Sequence, residues 1–263
     1  MKYWSGPLLF ICAAAAHAAT SCTPVRIGYS DRERVPYYMG NGGEAPEKPG
    51  VLVELFRDAF RSVGCQVVLV RLPVARVRLA LSSGAVDVAP ADTPADERAG
   101  YVIATLAGGQ ADLRRALKTT SYVFVRSDDK LPPETDPAEY FRTHTLAANQ
   151  GTLLASQLKS MGLQVDDGSF SSWNNLDKVR LKRADGFTLA LLTPSALDPY
   201  VTERYGKLLT RMEKPVRTSY MWLGANSDYY RRNRVQVEAV WNWLGTHGMQ
   251  EVDALTRRYA PGP

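Results

Sequence analysis

The chain is poor in the residues on which metal and nucleophile chemistry most often rests, with three cysteines and three histidines in 263 residues. None of the six stands at a metal-ligand spacing, so no zinc-type site is expected. No Gly-x-Ser-x-Gly elbow and no glycine-rich phosphate loop is present, which removes two common catalytic frameworks. Past the N-terminus no run approaches 18 apolar residues, so no membrane-spanning helix is expected there. Charge of one sign is also lacking. The net charge is only +5, and the arginine pairs Arg114-Arg115, Arg231-Arg232 and Arg257-Arg258 are scattered and lack interleaved aromatics. Nucleic acid is therefore not an expected partner. There is no internal repeat and no low-complexity tract.

What remains is an ordinary globular composition, 45% hydrophobic and 22% charged, long enough for one large domain or two small ones. Lys2, an apolar run over 7–16 and the small-x-small triplet Ala16-His17-Ala18 predict a signal peptide over 1–18 and export to the periplasm. Cleavage before Cys22, as in a lipoprotein, is the alternative, but the residues preceding it lack the usual leucine. Cys12 leaves with the signal. Cys22 and Cys65 each precede a predicted strand, 25–30 and 66–72, and the two strands would be parallel neighbours entered from one end. In an oxidising compartment a disulfide between them would stabilise the fold by about 3 to 5 kcal/mol. The alternative is two buried thiols.

Residues 25–30 are β-rich and lead into a long polar loop, 31–49, with Tyr37, Tyr38 and the turn Asn41-Gly42-Gly43. An amphipathic helix over 51–63 closes at Gly64, a nearly continuous apolar strand spans 66–72, Pro73 breaks it, and a helix over 75–81 ends at Gly84. A strand over 86–89 and a polar loop ending in Arg98 complete a strand-helix-strand-helix-strand pattern, the grammar of an α/β lobe. Residues 106–120 carry a basic helical patch, 122–125 read as a strand leaving the first lobe, and 128–137 as a linker. A second βα pattern follows: strand 145–148, turn 149–152, helix 153–161, helix 173–183 with Leu176, Val179 and Leu181 inward, and strand 187–192. Residues 211–226 form the return crossing. Closing helices over 229–259 pack through Val235, Val237, Val240, Trp241 and Leu244, with Gly245 and Gly248 between them.

Taken in order, Val25-Arg26-Ile27-Gly28, Pro36-Tyr37, Gly50, Pro73 with Arg76, Gly84 with Val86-Asp87, Thr93 five residues before Arg98, Gln150-Gly151-Thr152 and the strand entry at Arg183 to Asp185 carry a likeness. The chain resembles the family 3 periplasmic solute-binding proteins, receptors of amino-acid ABC transporters, over nearly its whole mature length. That resemblance implies a two-lobed α/β fold of the type II periplasmic binding protein class, each lobe a mainly parallel sheet flanked by helices, joined by two crossing hinge strands. Lobe 1 would hold 23–125 plus 225–263, and lobe 2 residues 126–224. It implies a monomer, not an enzyme and without cofactor or metal, that captures a small ligand and meets a membrane permease or a sensor.

The same resemblance assigns the site. Arg98 would grip a ligand carboxylate through its rigid fork of donors, unless it pairs with Asp96 or Glu97. Thr93 would donate its hydroxyl, Tyr37 would stack on the ligand, and Gly151 with Thr152 would offer backbone N–H groups at a helix N-terminus. Arg76 matches a position that is often basic. One departure stands out. The family's acidic partner for a ligand ammonium is missing from 187–193, and the next carboxylate is Asp198. An ammonium buried without a partner is costly, so the expected ligand is an acid without the amine, or an aromatic or hydroxylated acid. Two other readings remain: a ligandless signalling module for an envelope partner, and a small dehydratase using Asp92 or Glu33.

Overall fold

A computed structural model describes residues 22–93 and 97–262; the expected signal peptide lies outside the described residues. The first lobe starts with β1 (Val25–Ser30), α1 (Val51–Arg61), β2 (Val67–Leu72), α2 (Val74–Ser83), β3 (Val88–Ala91) and β4 (Tyr101–Val102). β1 pairs in parallel with β2, Val25 opposite Val67 through Ser30 opposite Leu72, and with β3 on its other side. Because β1 and β2 are entered from the same end, Cys22 and Cys65 meet and form the disulfide. The helix α1 turns Leu52, Leu55, Phe56, Ala59 and Phe60 into the core. It begins where Gly50, at φ 117°, lies against the backbone of Tyr37; a Cβ there would come within 2.3 Å of the Tyr37 carbonyl oxygen, so only glycine fits.

The second lobe is formed by β5 (Leu117–Arg126), α3 (Pro137–Tyr140), β6 (Thr145–Asn149), α4 (Leu153–Ser160), β7 (Gln164–Ser169), α5 (Ser172–Arg180), β8 (Gly186–Leu191), α6 (Asp198–Tyr205) and β9 (Leu209–Arg211). β6 pairs in parallel with β7 and β8, and β8 runs antiparallel to β5. The chain returns through β10 (Arg217–Asn226) to α7 (Ser227–Arg232) and α8 (Arg234–Tyr259).

Two ten-residue strands join the lobes. The first part of β5 pairs with β10, from Met221 opposite Leu117 to Arg217 opposite Ser121, while the rest of β10 pairs with β3. The strand order is thus β2-β1-β3-β10-β5-β8-β6-β7. Trp241 of α8 seals the first lobe beneath this junction, fully buried, its indole N–H donating to the Leu223 carbonyl at 2.7 Å.

Four expectations change. Residues 106–120 form no helix beyond a 3-10 turn at Leu113–Arg115, and β5 has already begun at Leu117. Gly245 and Gly248 do not separate helices: α8 runs through both, and they are small because Arg114 and Leu117 press on them. Leu181 and Val235 are exposed rather than inward, at 48% and 85%. Finally, β7 and α6 were not anticipated. The sequence of β7, QVDDGS, is that of a polar edge strand, and edge strands lack the apolar run that marks buried ones.

Candidate functional site

The crossing strands form the floor of a cavity of about 510 Å³ with walls from both lobes. The first lobe contributes Arg34 and Tyr38 from the loop after β1, Arg78 from α2, and Asp92 and Thr93 from the end of β3. Ser121, Arg217 and Tyr220 rise from β5 and β10, and the second lobe adds Asn149, Gly151, Thr152 and Thr188. The placement follows from topology, since loops at the carboxyl ends of parallel strands converge where the strand order reverses.

The turn that carries Gly151 and Thr152 is fixed from beneath. Asn149 donates to Ser172 Oγ at 2.9 Å and accepts from Asn175 at 2.9 Å, inside the protein. Thr152 caps α4, accepting the Ala155 N–H and donating to the Asn149 carbonyl at 2.8 Å. Its hydroxyl is thus committed to the helix end, while Gly151 adopts φ 74° beside it. Thr93 lies 3.4 Å from the Tyr101 hydroxyl.

Tyr37 lines the cavity with a fully buried ring. Its hydroxyl accepts the Leu192 N–H at 2.6 Å, a contact between lobes. Burial pushes this phenol up to about 12. Further hydrogen bonds bridge the lobes around it. Trp173 donates to Glu33 at 3.1 Å, Thr193 to Asp253 at 2.8 Å, and Tyr200 to the Tyr259 carbonyl. Thr93, Tyr37, Gly151 and Thr152 are therefore brought together around one cavity. Arg76 and Arg98 are not. Arg76 is exposed on α2 and Arg98 exposed in the 3-10 turn Glu97–Ala99, and neither is among the cavity's lining residues.

Three other arginines line the cavity, Arg34, Arg78 and Arg217, of which Arg78 is exposed on α2. Arg34 stacks on Tyr37 and Tyr38, its guanidinium carbon 5.5 and 5.1 Å from their ring centres. Its Nε is buried without a hydrogen-bond partner, as is Nη1 of Arg217. Among the described residues neither guanidinium forms an ion pair. Asp92 is exposed at the cavity, and among the described residues it too has no ion pair or hydrogen bond. The protein around its carboxyl nevertheless pushes its pKa up, against the pull of Arg34 and Arg217. β8 offers the cavity Thr188, Leu189 and Ala190 and no acid, as the sequence indicates.

Neither arginine was singled out from sequence, although both had a positional signal. Arg34 lies two residues before Pro36 in the loop expected to meet a ligand, and Arg217 opens the return crossing. Among the described residues no group of three or more His, Cys, Asp or Glu could hold a metal ion, and no helix is long and apolar enough to cross a membrane.

No family model matches the chain, and no curated protein does. Solved structures do. An amino-acid ABC transporter substrate-binding protein from Streptococcus pneumoniae, bound to L-arginine, is 12% identical over 91% of this chain and 96% of its own, with a TM-score of 0.64. The GluR0 ligand-binding core in complex with L-glutamate is 11% identical over 92% and 100%, with a TM-score of 0.67. A histidine kinase sensor domain with similarity to periplasmic binding proteins is 17% identical over 89% and 96%, with a TM-score of 0.64. At such identities the likeness is one of fold. The chain has the two-lobed architecture of the periplasmic binding proteins, the fold that the resemblance in its sequence implied.

Proposed function

We propose that this is an exported solute receptor, with lobes 23–125 plus 225–263 and 126–224, which closes on a small carboxylate-bearing ligand and presents it to a membrane permease. The observation that carries the reading is the pair Arg34 and Arg217. Two guanidiniums face one interlobe cavity, each with a buried nitrogen lacking a partner. A buried donor on a charged group is costly to leave unsatisfied, and a carboxylate is the small anion whose geometry suits a guanidinium fork. Export rests on the signal-like residues 1–18, and a periplasmic location agrees with the Cys22–Cys65 disulfide. The protein acts as a monomer, without cofactor, and returns its ligand unchanged. In this reading Thr93 and Gly151 contact the ligand, while Arg76 and Arg98 lie outside its first contacts.

A receptor for a sensor is the second reading, favoured by the likeness to a histidine kinase sensor domain. Both readings meet the same test. Thermal unfolding of the mature protein is followed against amino acids, keto acids, aromatic acids and dicarboxylates. A ligand at a hundredfold excess over its Kd stabilises the native state by about 2.7 kcal/mol, a shift of about 5 to 10 °C for a domain of this size. The shift is expected to vanish in Arg217→Ala and Arg34→Ala. No shift with any acid, or one that survives in both variants, would overturn the reading.

A further inference from the structure

The floor of the cavity carries polar groups that a carboxylate held by Arg34 and Arg217 leaves unused. Alternate residues of a strand share a face. One face of β5 therefore reads Leu117, Thr119, Ser121 and Val123, and one face of β10 reads Arg217, Ser219 and Met221. The register sets them out as rungs, with Ser121 opposite Arg217, Thr119 opposite Ser219 and Leu117 opposite Met221. Thr119, Ser121 and Ser219 all line the cavity. Thr119 and Ser121 are buried, at 7% and 2% exposure, and Ser219 is half-buried. Among the described residues none of these three hydroxyls has a hydrogen-bond partner in the protein. Thr188 of β8 is the contrast, since its hydroxyl donates to the Tyr122 carbonyl at 2.9 Å.

Packing does not account for this pattern. Leu117 and Val123, on the same face of β5 just beyond the cavity, are apolar and buried, so the strand turns polar only where it fronts the cavity. Buried hydroxyls left without partners are costly, and three side by side mark a surface that a polar guest completes. Each of them can donate and accept, and none is charged. A cationic fork at one rung and neutral hydroxyls at the next fit a ligand with one anionic end and an uncharged, hydroxylated body. The rungs follow one another about 7 Å apart along the strands, farther than one substituent beside a carboxylate spans. Across the Thr119–Ser219 rung the side chains start about 5 Å apart, a spread that lets them take two neighbouring hydroxyls of one ligand.

We infer that the ligand is a polyhydroxylated monocarboxylic acid, of the sugar-acid class, with its carboxylate at Arg34 and Arg217 and its distal hydroxyls on Thr119 and Ser219. The inference rests on the receptor reading and adds to it the body of the ligand. A site built to hydrogen-bond hydroxyls rejects the analogue that lacks them, because its own polar groups are then left unpaired.

The test pairs acids of like skeleton with and without hydroxyls, gluconate against hexanoate for an open chain and glucuronate against cyclohexanecarboxylate for a ring. α-Hydroxyhexanoate separates the hydroxyl beside the acid from the distal ones, and adipate replaces them with a second charge. Affinities of the full mature protein are measured by calorimetry. In the wild type at least one sugar acid is expected to bind about tenfold or more tighter than its unhydroxylated partner, with α-hydroxyhexanoate and adipate no better than hexanoate. In the Thr119→Val, Ser219→Ala double variant, and to a lesser degree in Ser219→Ala alone, that preference should fall, in the double variant to about threefold or less. Thr119→Ser, which keeps the hydroxyl, should retain most of it, and Arg217→Ala should weaken both members of a pair alike. Folding of each variant is checked by circular dichroism. No preference for the hydroxylated member in the wild type, or a preference unchanged in the double variant, overturns the inference and leaves the receptor reading standing. So does failure of every acid in these pairs where another carboxylate binds through Arg217. If no carboxylate binds at all, both fall.

Discussion

Tyr37 lines the cavity and also has protein partners of its own. Its loop and its position before α1 suggest stacking on a ligand, and the ring does line the cavity. Its hydroxyl, however, accepts a backbone N–H from the opposite lobe, and its face supports Arg34. Sequence spacing could locate the residue but not its partner, because Leu192 is 155 residues away. The same burial makes a prediction. Burial pushes Tyr37 and Tyr38 up to about 12, whereas an unfolded tyrosine ionises near pH ~10. Their folded pKa is raised, so the stability they contribute is complete below pH ~10 and is lost as pH rises toward about 12. Denaturant midpoints should fall progressively above pH ~10, and less steeply in Tyr37→Phe. A midpoint indifferent to pH in that window would contradict the burial of these rings.

At the scale of elements, the apolar periodicity of α1, the proline before α2 and the glycine closing it made the first lobe legible almost strand by strand. The second lobe was less so. β7 is an edge strand with little apolar character, and α6 begins in Asp-Pro, which reads as a turn until the Tyr200 and Tyr205 contacts are known. The largest misreading concerns α8, where Gly245 and Gly248 look like breaks. A Cβ on Gly245 would come within 2.6 Å of the Arg114 carbonyl oxygen, so this glycine marks close packing of α8 on the chain entering β5. Gly245→Ala should therefore destabilise the protein by about 1 to 3 kcal/mol despite alanine's higher helix propensity. The neighbouring exposed Thr246→Ala should change stability by no more than about 0.5 kcal/mol. A stabilised Gly245→Ala would mean that α8 does not press this closely on the Arg114 backbone. The disulfide works at the same scale. It fastens the entries of β1 and β2 across 43 residues, worth about 4 kcal/mol by loop closure.

For the whole molecule, the order of elements carried the architecture and left the charges of the cavity hidden. Two lobes joined by two crossings could be read from a βα pattern interrupted and resumed. Which arginines face inward could not, because Arg34 stands in an irregular loop and Arg217 faces as its pairing opposite Ser121 dictates. Arg98 fits the family spacing and is exposed, while Arg34 and Arg217, at positions that no motif marks, have buried nitrogens without partners. The receptor reading stands on those two residues and on closure of the lobes around what they hold, which requires the ligand to bind the closed state more tightly than the open one. It is tested most directly by native mass spectrometry of the mature protein incubated with the acid that gives the largest thermal shift. The expected result is a one-to-one adduct whose ligand is released with unchanged mass, and which is lost in the Arg34→Ala, Arg217→Ala double variant. Release of a compound of different mass would make the protein an enzyme, and an adduct that persists in the double variant would place the ligand elsewhere.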